Sequence, residues 1–144
     1  MHSAPSLTFF KPEFIPNSGA VLVDAGISAG VPVSAGDVNQ TKLSLDEELV
    51  RNKDATFFAR VSGQSMIGAG LDDNDLLVID RSLEARDGKI AVCFLDGEFT
   101  VKRLKVKAGE VWLMPENPKY EPIQVTSEND FVIWGIVTNV IKRV

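Results

Sequence analysis

Downstream of residue 54, the pattern of apolar and polar positions along the chain is that of a β protein. Val, Ile, Phe and Trp are concentrated in short runs, and turn-forming residues separate these runs. Such residues favour strands because their side chains pack well on a pleated surface. The pattern therefore predicts six strands, over TFFARV, DLLVID, KIAVCFL, EFTVKRLKV, EVWLMP and DFVIWGIVTNVIKRV.

The first 40 residues have a different pattern, in which prolines and small residues recur. Long helices are not expected there, and an extended arm with one strand-like piece at Val21–Val23 is predicted. One short helix is predicted over SLDEELVRN, where Ser44 and Glu47 have the spacing of a capping box. The expected fold class is mainly β: a compact antiparallel β domain with an extended N-terminal arm and one short helix.

The dipeptide Asp96-Gly97 lies between two predicted strands and is a strong signal for a two-residue hairpin turn. Counting outward from such a turn places Lys102 opposite Ala91, and Cys93 opposite Thr100. The predicted register therefore surrounds one lysine with small and apolar groups.

Strand alternation separates Lys102 from the other basic residues of VKRLKVK. Arg103, Lys105 and Lys107 fall on one face of the strand, where solvent exposure is expected, and Lys102 falls on the other. Desolvation there would lower the pKa of the amine, and a neutral lysine can accept a proton. The alternative is a strand lysine whose aliphatic chain lies along the sheet while its charge reaches solvent.

Composition limits the chemistry that is available. The net charge is −5, which disfavours general nucleic-acid binding, and His2 and Cys93 are the single histidine and cysteine. A Ser-His-Asp triad, a multi-histidine metal site and an intrachain disulfide are therefore not expected. No apolar run is long enough for a membrane span and no secretory signal is recognisable, so a cytoplasmic protein without metal or cofactor is predicted.

Ser65, in VSGQSMIGAG, interrupts the apolar pattern and is either a turn residue or a nucleophile. A nucleophilic serine needs a base, and lysine is a recognised alternative to histidine in that role. Ser65 and Lys102 lie on different predicted elements, so such a pair requires the fold to bring them together.

Four segments resemble the self-cleaving Ser-Lys peptidase domain shared by LexA-type repressors and UmuD-type mutagenesis proteins. They are SGQSM around Ser65, DDNDLLVIDRS, DGEFTVKRL around Lys102, and AGVPVSAGD, and the resemblance covers roughly residues 29–144. It implies that Ser65 is the nucleophile and Lys102 the general base. It also implies that the backbone N–H groups of Ser65 and Met66 form the oxyanion hole.

The same resemblance implies a cleavage site at Ala29-Gly30. Ala25-Gly26 and Ala35-Gly36 are competing pairs, but only Ala29-Gly30 is followed by Val31-Pro32. The expected parts are an arm over 1–29 that self-cleavage removes, a flexible segment over 30–40, and a Ser-Lys peptidase domain of LexA C-terminal type over 41–144.

Only 29 residues precede Gly30, which is short for a helix-turn-helix domain, so the UmuD-type branch is favoured over the repressors. That branch implies self-cleavage stimulated by a RecA filament on single-stranded DNA. The trimmed homodimer would then serve a UmuC-like Y-family polymerase in translesion synthesis during the SOS response, with no membrane and no direct sequence-specific DNA binding. The alternatives are a non-enzymatic polymerase-binding module and a LexA-like regulator of transcription.

Overall fold

The structure, a computed structural model, describes residues 7–13, 20–23 and 40–144. The chain divides into two compact units, one of Met1–Pro12 with Asn52–Val144 and the other of Glu13–Arg51. The described strands are β1 (Leu7–Phe10), β2 (Ala20–Val23), β3 (Gln40–Leu43), β4 (Thr56–Val61), β5 (Leu76–Asp80), β6 (Ile90–Leu95), β7 (Glu98–Lys107), β8 (Glu110–Met114), β9 (Ile123–Val125) and β10 (Phe131–Ile141). The described helix is α1 (Leu45–Leu49), and Lys53–Ala55 and Ile67–Ala69 form short 3₁₀ turns.

The larger unit contains an eight-stranded sheet in the order β1-β4-β5-β10-β6-β7-β8-β9. Every neighbouring pair in it is antiparallel. The predicted mainly antiparallel β fold is therefore confirmed, and each of the six predicted strands is present. The sheet also contains β1 and β9, which the apolar pattern did not single out.

Strand β1 is part of the predicted extended arm, and its residues 7–10 pair with β4 along one edge of the sheet. The pairing joins Leu7 to Val61 and Phe10 to Phe58. The partner that stabilises these four residues is distant in the sequence, so the local pattern gives no sign of this pairing.

The β6–β7 hairpin has the predicted register. Asp96 and Gly97 have φ angles of 48° and 89°, as a two-residue type I′ turn requires. Lys102 accordingly pairs with Ala91, and Cys93 with Thr100. The turn chemistry thus determines which side chains surround the lysine.

The core of the larger unit consists of two buried clusters. One of them includes Met66, the residue that follows Ser65, so that burial of the methionine anchors the serine's segment to the sheet. The other lies around Ala91 and Cys93 and draws its buried residues from β6, β7, β8 and β10. The first cluster comprises Ala59, Val61, Met66, Leu71, Leu77, Ile79, Val92 and Val101.

The smaller unit contains the antiparallel pair β2–β3 and the predicted helix. The hydroxyl of Ser44 accepts a hydrogen bond from the N–H of Glu47 at 3.5 Å, which confirms the capping position. The predicted cleavage site Ala29-Gly30 lies outside the described residues, as does the 30–40 segment apart from Gln40, the first residue of β3. No helix in the described ranges is long and apolar enough to cross a membrane.

Candidate active site

The fold brings Ser65 and Lys102 into direct contact. The Nζ atom of Lys102 lies 2.9 Å from the Oγ atom of Ser65, although 37 positions separate the two residues in the sequence. The same Nζ atom lies 2.7 Å from the hydroxyl oxygen of Thr100 and 3.2 Å from the carbonyl oxygen of Val101. The amine therefore has three oxygen neighbours, all of them uncharged.

Strand β7 places the lysine on the buried side of the sheet. Lys102 is only 7% exposed, and its cross-strand neighbours Ala91 and Cys93 are fully buried. Burial lowers the pKa of Lys102, while the charge of an ionised Cys93 would raise it. Because burial raises the pKa of the Cys93 thiol to about 12, that charge is absent at lower pH. The surroundings of Lys102 thus favour its neutral form.

The segment that carries Ser65, residues 62–70, is hereafter the serine loop. Gly63 has a φ of 115°, a conformation that favours glycine, and its N–H donates to Oδ1 of Asp73 at 3.0 Å. The carbonyl of Met66 accepts hydrogen bonds from the N–H groups of Ala69 and Leu71, at 3.0 and 3.1 Å. The loop is therefore held on both sides of the serine.

The connection after β8 holds the serine loop through its backbone. The N–H of Glu116 donates to the carbonyl of Ser65 at 2.8 Å, and the carbonyl of Glu116 accepts from the N–H of Gly68 at 2.7 Å. A Cβ at Gly68 would lie 2.6 Å from that carbonyl oxygen, so the close approach requires glycine. The side-chain amide of Asn117 also donates to the carbonyl of Gln64 at 2.9 Å.

An ion pair joins this connection to the strand of the lysine. Nε of Arg103 lies 2.6 Å from Oε1 of Glu116, and both side chains are about half-buried. Arg103 follows Lys102 directly, and the backbone of Glu116 is hydrogen-bonded to the serine loop. The ion pair therefore connects the strand of Lys102 to the serine loop through Glu116. The sequence assigned Arg103 to a solvated face and gave no sign of its partner Glu116, which lies beyond the next strand. Thr100, by contrast, lies two residues from Lys102 in the same strand.

Ser65 and Lys102 lie in a cleft between the serine loop and β7. The cleft has a largely apolar lining, and strand β1 contributes Leu7 to it. The lining residues are Leu7, Val61, Ser62, Gly63, Ser65, Met66, Leu71, Phe99, Thr100, Val101 and Lys102.

The single cysteine and the acidic stretch that follows the serine loop have structural roles. Cys93 is fully buried in β6. The acidic stretch LDDND forms a turn, in which Asp72 and Asp75 both contact the amine of Lys142 at 2.5 Å. Within the described ranges, no group of three or more His, Cys, Asp or Glu side chains is arranged to hold a metal ion.

Comparison with known proteins places the chain in a family. The family model described as Peptidase S24-like matches residues 21–138. The chain is 44% identical over 117 residues to the LexA repressor of Dechloromonas aromatica, a match that covers 81% of this chain and 58% of that protein. It is 44% identical over 114 residues to Protein MucA of Salmonella typhimurium, covering 78% of this chain and 77% of that protein. It is also 34% identical over 142 residues to LexA repressor 2 of Pseudomonas syringae pv. tomato, covering 99% of this chain and 70% of that protein.

The chain belongs to the Peptidase S24-like family, whose members are self-cleaving serine peptidases. The resemblance to the LexA and UmuD peptidase family is therefore confirmed.

Replacing Lys102 by Met tests the burial of its amine. Because the pKa of Lys102 is lower in the folded chain than its ordinary value of 10.5, the unfolded chain binds more protons between the two values. The free energy of unfolding of the wild type should therefore rise with pH in that range. Lys102→Met is expected to have a higher free energy of unfolding than wild type near neutral pH. This difference between the two proteins should become smaller as the pH approaches 10.5.

Urea denaturation at a series of pH values measures this difference, and Lys105→Met, at an exposed position of the same strand, is the matched control. If the difference in free energy of unfolding between Lys102→Met and wild type stayed constant over the whole alkaline range, the result would argue against a lowered pKa for Lys102.

Proposed function

We propose that this chain is a self-cleaving serine peptidase in which Ser65 is the nucleophile and Lys102 the general base. The observation that carries the proposal is the set of contacts around the lysine amine. A neutral amine has two N–H bonds and one lone pair. The oxygens of Thr100 and Val101 can accept hydrogen bonds from the two N–H groups, and the hydroxyl of Ser65 can donate a hydrogen bond to the lone pair.

The proposed reaction begins when neutral Lys102 accepts the proton of the Ser65 hydroxyl. The Oγ atom then forms a bond to the carbonyl carbon of Ala29, giving a tetrahedral intermediate. When the bond from Ala29 to Gly30 breaks, the amine of Gly30 takes the proton from Lys102 and leaves. Water then hydrolyses the ester on Ser65, again with Lys102 as base.

Two backbone N–H groups are proposed to stabilise the oxyanion of that intermediate, those of Ser65 and Met66. In the described part of the chain neither is a donor in any hydrogen bond, so both are available to a substrate oxygen. Burial of the Met66 side chain and the contacts of Glu116 would hold them in place before substrate arrives, which is what makes such donors effective.

The proposed parts of the chain follow from the cleavage site. Self-cleavage at Ala29-Gly30 would cut the covalent link between an arm over 1–29 and a flexible segment over 30–40, which stays joined to the Ser-Lys peptidase domain over 41–144. The Val31-Pro32 that follows the bond supports this choice over the other Ala-Gly pairs. No metal or cofactor has a step in this scheme.

For the cellular role we propose a UmuD-like accessory subunit, acting in the cytoplasm. A RecA filament on single-stranded DNA would stimulate cleavage, and the trimmed homodimer would bind a UmuC-like Y-family polymerase that copies damaged DNA in the SOS response. Support comes from the similarity to Protein MucA and from the UmuD-like segments around Ser65 and Lys102. A second candidate is a LexA-like regulator of transcription, which the similarity to LexA repressors favours.

Incubation of the purified chain with RecA, single-stranded DNA and a nucleotide tests the peptidase. Mass spectrometry should show a product that begins at Gly30. Ser65→Ala and Lys102→Ala should each lower the cleavage rate by ~10³-fold or more, because each removes one member of the dyad. Ser127→Ala and Lys105→Ala, at exposed positions, are matched controls that should cleave like wild type. Cleavage that survived in Ser65→Ala would refute the assigned nucleophile.

The rate of cleavage without RecA should depend on pH. Burial lowers the pKa of Lys102, and only its neutral form can act as base. The rate should therefore rise about tenfold per pH unit while most of the amine is protonated, and level off above its pKa. Quantifying the cleaved fraction over time in a pH series measures this. A rate that is flat from neutral to alkaline pH would exclude a titrating base.

Binding measurements distinguish the two cellular roles. The trimmed chain, Gly30 to Val144, is expected to bind a UmuC-like Y-family polymerase more tightly than Ser65→Ala, which keeps its arm. Neither form should bind an SOS operator duplex better than a duplex of scrambled sequence. Operator-specific binding by the intact chain would instead favour the regulator.

A further inference from the structure

We propose that cutting the chain does not by itself release the arm, because strand β1 holds the cleaved fragment on the larger unit. The inference rests on the proposed function only for the position of the cut. Strand β1 lies before Ala29-Gly30 in the sequence, and its partner β4 lies after it. Hydrolysis of that bond therefore leaves the two strands on different fragments but breaks none of the hydrogen bonds between them.

The backbone gives the first reason for retention. Four residue pairs join β1 to β4, from Leu7↔Val61 to Phe10↔Phe58. Strand β4 pairs on its other side with β5, so loss of β1 would turn β4 into the edge of the sheet. Its unpaired N–H and C=O groups would then be open to another extended strand.

The side chains give the second reason. The ring of Phe9 lies 5.0 Å from that of Phe99 and 4.6 Å from that of Trp134, measured between centroids. Leu7 and Phe9 also pack against the core cluster around Met66. Phe10, by contrast, is 46% exposed. Alternate residues of β1 thus point into the unit, as in a strand that belongs to its sheet.

A second strand pair lies across the cut as well. Strand β2 belongs to the arm fragment and β3 to the other fragment, and four residue pairs join them within the smaller unit. The bond Ala29-Gly30 lies in the sequence between these strands. A cut there separates two strands that remain paired with each other, which further favours a nicked complex over immediate release.

Retention of β1 has a consequence for partners. While β1 is bound, Leu7 remains part of the lining around Ser65, and the edge of β4 stays covered. A partner that binds this edge must displace β1 with an extended segment carrying apolar side chains at alternate positions, as Leu7 and Phe9 do. Cleavage and exposure of this surface are therefore separate events.

The test uses a full-length Ser65→Ala chain in which residues 27–32 are replaced by the recognition sequence of a site-specific protease. That protease makes the nick, so the outcome does not depend on self-cleavage by the chain. Native mass spectrometry and size-exclusion chromatography are expected to show one species that contains both fragments. Denaturing electrophoresis should confirm that cutting is complete.

Matched variants locate the retaining contact. Phe9→Ala should weaken retention of the fragment by roughly tenfold or more, since it removes two ring contacts, and Phe10→Ala should change it little. A peptide of residues 7–13 in excess should speed loss of the fragment, and the same peptide with Phe9→Ala should not. The peptide experiment keeps the test valid if the Phe9→Ala chain folds poorly.

Separation of the fragments as soon as the chain is nicked would overturn the proposal. Retention that is indifferent to Phe9→Ala and to the peptide would also overturn it, since the contact would then lie elsewhere. If the nicked chain retains its fragment but wild type never cleaves itself, the proposed peptidase fails while the strand contact stands.

Discussion

The buried amine of Lys102 is the constraint on which the rest of the site depends. It has lost most of its hydration, and none of the described carboxylates lies within ion-pair distance of it. An ammonium in such a place is unfavourable, whereas a neutral amine can satisfy all three of its polar neighbours. A fold that places an uncompensated lysine here gives up some stability, and the neutral amine that results is suited to the role of base proposed for Lys102.

Two independent supports keep Ser65 within reach of that amine. The β6–β7 hairpin determines where the lysine points, and the backbone of Glu116 determines where the serine loop lies. The ion pair between Arg103 and Glu116 connects the two. Because proton transfer requires hydrogen-bond distance, a small shift of either element would separate the pair. The distance between Ser65 and Lys102 therefore depends on the β6–β7 hairpin and on the Glu116 contacts, as well as on the serine loop.

The sequence predicted the parts of the fold that depend on local chemistry. Asp96-Gly97 was sufficient to give the hairpin and its register, and with them the burial of Lys102 beside Cys93. The contact between Ser65 and Lys102 could only be proposed, since spacing along a chain does not show which loops meet. Strand β1 and the Glu116 contacts were not foreseen, because Phe9 and Gly68 find their partners far away in the sequence.

The proposed mechanism requires Lys102 to be neutral at a lower pH than an ordinary lysine, so that its amine can take the proton of Ser65. The most direct measurement is a pH titration of the Lys102 side chain by NMR in protein labelled at lysine Cε, with its resonance assigned by loss in Lys102→Arg. A midpoint clearly below 10.5 is expected, from the direction in which burial shifts the pKa. A midpoint at or above that value would contradict the proposed role of Lys102 as base.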